Sequence, residues 1–170
     1  MPAITDVSFI EMRIAKAVAF GPPLAEPPFQ CVVLDEVSGD RHVVFEIGDA
    51  EAFSLAASLQ GLEFGRPMTY QFAVALLRGL GGQVRQVRVD RLLGGVYAAT
   101  VEVEGPLGAQ SVDARASDAL NLAALTSAPV FVSAEVMDGS ARRQEEDSAE
   151  ARLLRLAPTV PPITITREKP

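Results

Sequence analysis

The chain has 170 residues, 48% of them apolar, with a mean hydropathy of +0.20 and a net charge of −7. Those values exclude wholesale disorder and suit one domain with an appendage. No apolar run approaches the ~20 residues of a membrane span, the N-terminus lacks a signal peptide's pattern, and the lone Cys31 excludes a disulfide framework or a cysteine zinc cluster. A cytoplasmic location and no membrane partner are expected.

In chain order, residues 7–20 predict a long, partly alternating strand with Phe9, Met12, Ile14 and Val18 towards the core. Residues 21–28, with four prolines, predict a stiff loop. Residues 30–36 and 42–47 predict a hairpin around Ser38-Gly39-Asp40. A helix is predicted over 48–59, its apolar stripe carried by Phe53, Leu55, Ala56 and Leu59, and ended by Gly61. Thr69 is the expected cap of a second helix, which closes at Gly81-Gly82. Alternation over 84–92 and 96–104 around Gly94-Gly95 predicts a second hairpin. A further strand over 110–114, a helix over 117–126 and a strand over 130–136 complete the core.

This order predicts an α+β fold: a mixed, mainly antiparallel sheet with about three core helices, plus a C-terminal helical and extended tail. The expected division is a domain over 1–137 and a tail over 138–170. In the tail, residues 140–156 predict a charged helix, and 158–170 an extended, proline-rich end. Exposed strand edges and apolar patches make a homo-oligomer the expected assembly.

The densest polar chemistry lies at 112–120, where a strand gives way to a helix. Asp113, Arg115, Ser117 and Asp118 place two carboxylates, a guanidinium and a hydroxyl within six positions. Ser117 or Asp118 can cap the helix, whereas Asp113 and Arg115 are not needed for that. Glu51, in the first turn of its helix, interacts favourably with the helix dipole whether or not it has another role. His42, the single histidine, reads as an ordinary strand residue, and Glu102 and Glu104 as solvent-facing.

Several stretches resemble one family in register. Asp113 to Ala119 is similar to the D-x-R-P-S-D-A signature of the bifunctional nuclease domain family, small bacterial and plant domains. Ile47-Gly48-Asp49-Ala50-Glu51-Ala52 resembles its I-G-x-x-E-A, Arg66-Pro67-Met68-Thr69 its R-P-x-T, Tyr97-Ala98 its Y-A strand, and Ala128 to Val132 its A-P-I-[FY]-V strand. An arginine-to-lysine ratio of 13 to 2 fits a GC-rich bacterial genome. The resemblance implies hydrolysis of DNA and RNA phosphodiester bonds assisted by Mg²⁺ or Mn²⁺. In that reading Asp113 and Asp118 are metal ligands, and Asp113, Arg115, Ser117, Asp118 and Glu51 form the catalytic set. Arg66, Thr69 and Arg115 would bind substrate.

Two departures bear on this. The family continues R-P-x-T with H-D-L where this chain has Tyr70-Gln71-Phe72, and Ala116 replaces the signature's proline. A phenol and an amide are poor proton acceptors at neutral pH, so activity is expected to be weakened. Sixteen acids against nine bases in residues 1–137 also argue against wide electrostatic capture of nucleic acid. A local exception is the run Arg78, Arg85, Arg88 and Arg91, which Arg66 and Arg115 would join. The alternative reading is a catalytically degenerate oligomeric domain that binds a ligand or partner.

Overall fold

The computed structural model describes residues 8–20 and 29–146, with the backbone alone at 18–20, 29 and 141–146. Three strands open the chain: β1 (Phe9–Phe20), β2 (Phe29–Glu36) and β3 (His42–Ile47). Two helices follow, α1 (Asp49–Leu59) and α2 (Thr69–Gly79). A meander of β4 (Gln83–Leu93), β5 (Val96–Gly105) and β6 (Gly108–Arg115) comes next. It leads into α3 (Ala116–Thr126), β7 (Val130–Ser133) and α4 (Ala134–Glu146). The expected α+β class holds.

Local chemistry explains most boundaries. Gly94 and Gly95 both have positive φ, 58° and 85°, the conformation of a two-residue hairpin turn that matches strand twist. The expected cap at Thr69 is replaced. Met68 is the N-cap, Thr69 is the first helical residue, and the Gln71 side chain accepts a hydrogen bond from the Met68 N–H at 2.9 Å. The last strand stops three residues short of its expected end. Ser133 Oγ accepts the Val136 N–H at 3.2 Å, and this cap turns the chain into α4. Val136, Met137 and Ser140 are buried, so α4 packs onto the core across the expected boundary between 137 and 138. The calls on the proline loop at 21–28 and on the tail from 147 onwards lie outside the described residues.

The seven strands form one sheet in the order β3-β2-β1-β7-β4-β5-β6. All neighbours pair antiparallel except β7 with β4, which is parallel. A parallel pair needs a crossover, and the route from β4 to β7 through β5, β6 and α3 supplies it. The sheet curls strongly. Phe45 of β3 meets Tyr97 of β5 edge-on, with ring centroids 4.4 Å apart. In a flat sheet five strand spacings, about 24 Å, would separate them. Register breaks at Ile14/Lys16, Val84/Gln86 and Val89/Arg91 increase local twist and help the curl.

The concave side holds a single core. Leu34, Phe45, Leu55, Val87, Val89, Leu120 and Val132 are at most 1% exposed. Each such side chain contributes roughly 1.5–3 kcal/mol by leaving water. α1 and α3 pack on each other and close this side, with Ala52, Ala56, Ala119 and Ala123 allowing close approach. Their first turns consequently lie together. On α2, Phe72, Leu76 and Leu80 remain exposed along one face. Among the described residues no helix is long and apolar enough to cross a membrane.

Candidate functional site

Three helix starts meet at one guanidinium. Arg115 is the last residue of β6 and the N-cap of α3, with an extended backbone (φ −74°, ψ 151°). Its Nε donates to Asp118 Oδ2 at 2.8 Å, and its Nη2 donates to Asp118 Oδ1 at 3.0 Å, a two-point grip. The same Nη2 donates to Glu51 Oε1 at 2.9 Å, from the first turn of α1. From the first turn of α2, the Tyr70 hydroxyl donates to Asp118 Oδ1 at 2.5 Å. Residues 64 and 48 positions apart are thus joined through Arg115 and Asp118.

Each partner is placed by its helix. Asp118 and Glu51 both occupy the third helical position, and Tyr70 the second. Gly48, the N-cap of α1, leaves room for Glu51 to fold back. A Cβ there would come within 2.3 Å of Glu51 Oε2. Asn121 locks the two helices. Its Nδ2 donates to the Glu51 carbonyl at 3.1 Å and to the Ser117 carbonyl at 3.0 Å. Asn121 is fully buried, and its Oδ1 has no hydrogen-bond partner among the described residues. Sequence reasoning missed it. The available signal was one amide inside Ala119-Leu120-Asn121-Leu122-Ala123-Ala124, where an apolar face has no use for one.

The electrostatics follow from these contacts. Burial opposes ionisation of Asp118, but the hydrogen bonds from Arg115 and Tyr70 outweigh it and hold the carboxyl below its usual range. Burial, reinforced by the bond to Asp118, pushes the Tyr70 phenol above its ordinary value. Tyr70 therefore stays protonated and acts as a donor. The hydrogen bond that Arg115 donates to Asp118, and then the Asp118 charge, raise the Arg115 pKa further, so the guanidinium is permanently charged. One cation and two carboxylates sum to a single negative charge. Three helix N-termini, each worth about half a positive charge, offset it.

The expected site residues separate into two groups. Glu51, Arg115 and Asp118 are brought together. Asp113 lies exposed on β6 opposite Thr100 and makes no bond to the cluster. Asp113 is seated within the β6 ladder, whereas Asp118 belongs to the helix that leaves it, one turn beyond Arg115 and within reach of the guanidinium. Ser117 contributes its carbonyl to Asn121. Arg66 and Thr69 are exposed, without a side-chain hydrogen bond or ion pair among the described residues. The lost pair reduces to one side chain, because Gln71 caps its own helix and only Tyr70 reaches the cluster. His42 is exposed on β3. Glu102 keeps 20% side-chain exposure, pairs with Arg88 at 3.0 Å and accepts from Ser111.

The donor set does not form a ready cation cage. Among the described residues no group of three or more His, Cys, Asp or Glu is placed to hold a metal ion. Both oxygens of Asp118 are engaged by Arg115, so a cation there would compete with the guanidinium. What the cluster does offer is the other guanidinium edge. Among the described residues Nε and Nη2 are committed and Nη1 is not, while the side chain is 59% exposed. A fixed, half-exposed guanidinium with free N–H groups suits a phosphate.

Comparison with known proteins identifies a family. The family model described as the bifunctional nuclease domain matches residues 32–145. Two uncharacterized proteins, from two strains of Mycobacterium tuberculosis, are each 31% identical over 106 residues, 62% of this chain. The chain spans 63% of the length of these curated relatives.

Proposed function

Because this chain belongs to the bifunctional nuclease domain family, we propose that it acts on nucleic-acid phosphodiesters at the Arg115 cluster. The observation that carries this reading is a guanidinium held by Asp118 and Glu51 with one edge left open. In the proposal Arg115 Nη1 grips the non-bridging phosphate oxygens and offsets the charge that grows on them during attack. Tyr70, kept protonated, orients Asp118 and through it Arg115. Asp118 already accepts three donors, which makes it a positioning residue. Glu51 is the carboxylate of the cluster with an oxygen, Oε2, that accepts no hydrogen bond among the described residues, and is the assigned general base. It takes a proton from the attacking water as the water oxygen bonds to phosphorus. The bond to the leaving oxygen then breaks, and that oxygen takes a proton from solvent.

The test is cleavage of single-stranded DNA and RNA oligonucleotides by the wild type, Arg115→Ala and Glu51→Gln. Loss of about 100-fold or more in each variant is expected, the usual scale for removing a charge stabiliser or a general base. Unchanged cleavage in both variants would overturn the reading. The same assay with Mg²⁺, Mn²⁺ or chelator decides the metal proposal. Stimulation that disappears in Asp118→Asn would assign a cation to Asp118, and dependence on Asp113 would extend the site to β6. Saturation of Asp118 favours a second reading, a domain that binds nucleic acid without cutting it. Its signature is retention of an intact oligonucleotide that Arg115→Ala abolishes.

A further inference from the structure

The arginines along β4 have different fates. Arg85 pairs with Glu104 at 3.1 Å. Arg88 pairs with Glu102 at 3.0 Å and stacks over the Phe9 ring at 5.4 Å. Arg91 is exposed and has no ion pair among the described residues. Its position is set by the register break between Val89 and Arg91. Val89 pairs with Ala99, and the next pair is Arg91 with Ala98, so Asp90 is the extra residue. Unbroken pairing would place Asp90 opposite Ala98. The bulge substitutes an arginine for an aspartate there, and Asp90 turns to accept the Thr100 hydroxyl at 2.6 Å.

On its other side, Ala98 pairs with Arg115. Directly opposed residues on neighbouring strands project from the same face of a sheet. Arg91, Ala98 and Arg115 therefore form one row across three strands, with an alanine methyl between two arginines. Strands lie about 4.8 Å apart, so the two arginine backbones stand about 10 Å apart. Beyond this row the face carries Asp90, Glu102 and Asp113 against Arg88, which lies 3.6 Å from Asp90 and 3.0 Å from Glu102, so its balance is acidic. That balance disfavours a phosphate there and favours one at the end of the sheet that carries the two arginines.

We propose that Arg91 binds a second phosphate of the strand whose reacting phosphate lies on Arg115, so that the ligand is a short single-stranded segment crossing β4 to β6 over Ala98. This rests on the proposed function at Arg115. Two phosphate contacts on an acidic molecule also predict a shallow salt dependence, with a log–log slope of about −1.4 at 0.7 per phosphate.

The test is fluorescence anisotropy of a labelled single-stranded DNA decanucleotide, and of a labelled mononucleotide, at several salt concentrations. Arg91→Ala is expected to weaken decanucleotide binding about tenfold, to lower the salt slope by about 0.7 and to leave mononucleotide binding unchanged. Arg115→Ala should weaken both ligands. Arg78→Ala, an exposed arginine at the end of α2, should change neither by more than about twofold, because it shares only the general field. Arg91→Lys should recover part of the loss. Equal effects of Arg91→Ala and Arg78→Ala would overturn the inference, and a continuing loss in Arg115→Ala would leave the primary site standing. No binding by the wild type would overturn both.

Discussion

Asp118 shows how one side chain can be committed before any ligand arrives. It accepts Arg115 twice and Tyr70 once, and these bonds keep it ionised against its own burial. Because its folded pKa lies below the unfolded value, its ionised form stabilises the fold fully above the unfolded pKa of about 3.9. That contribution is lost as pH falls through the lower, folded pKa. The stability gap between wild type and Asp118→Asn is therefore expected to stay constant from about pH 5 to 8 and to close below about pH 4. Urea midpoints measured across that range check it; a gap that did not narrow at all below pH 4 would mean that the carboxylate's charge is not what Arg115 and Tyr70 hold.

At the scale of elements, the site depends on how α1 sits against α3. Asn121 sets that relation through the Glu51 carbonyl. Asn121→Ala leaves two carbonyls without this donor and is expected to cost about 1–3 kcal/mol in urea denaturation. Gly48 acts on the other side of Glu51. Its φ of −70° suits any residue, so alanine is tolerated by the backbone at a cost of about 1 kcal/mol or less. The added methyl would nevertheless push the Glu51 carboxylate away from Arg115. In cleavage assays Gly48→Ala should approach Glu51→Gln, and the double variant should be no worse than Glu51→Gln alone. Additive losses would show that Gly48 acts elsewhere. The N-terminal positions of Glu51 and Asp118 were legible from Gly48-Asp49 and from the Asp-x-Arg-x-Ser-Asp run. Their meeting was not, because it needs the packing of α1 on α3, two helices far apart in the chain.

For the whole molecule, curling of the sheet is the event that makes a core. Phe45 is 1% exposed and its ring edge packs on Tyr97 from the far side of the sheet. Phe45→Ala should cost about 3–5 kcal/mol and lower the urea midpoint without abolishing the Arg115 contacts. A loss under 1 kcal/mol would mean that β3 contributes little to closing the core. Acidic charge works at the same scale. With a net charge of −7, the proposed phosphate recognition rests on a few placed arginines and not on a general excess of positive charge.

Local physics settled much of this protein within the chain itself. Alternation, paired turn glycines and helical spacing determined the order of strands and helices, since each depends on neighbours within a turn or a hairpin. The grip of Arg115 on Asp118 was likewise within reach, as both lie on one helical turn. Tertiary structure decided the rest: the insertion of β7 between β1 and β4, the arrival of Glu51 and Tyr70, the buried clasp of Asn121, and the exclusion of Asp113. The bulge that sets Arg91 across from Ala98 belongs with these. All of them depend on which strands pair, in what register, and which helix faces are buried together, and that choice is made by the free energy of the assembled core.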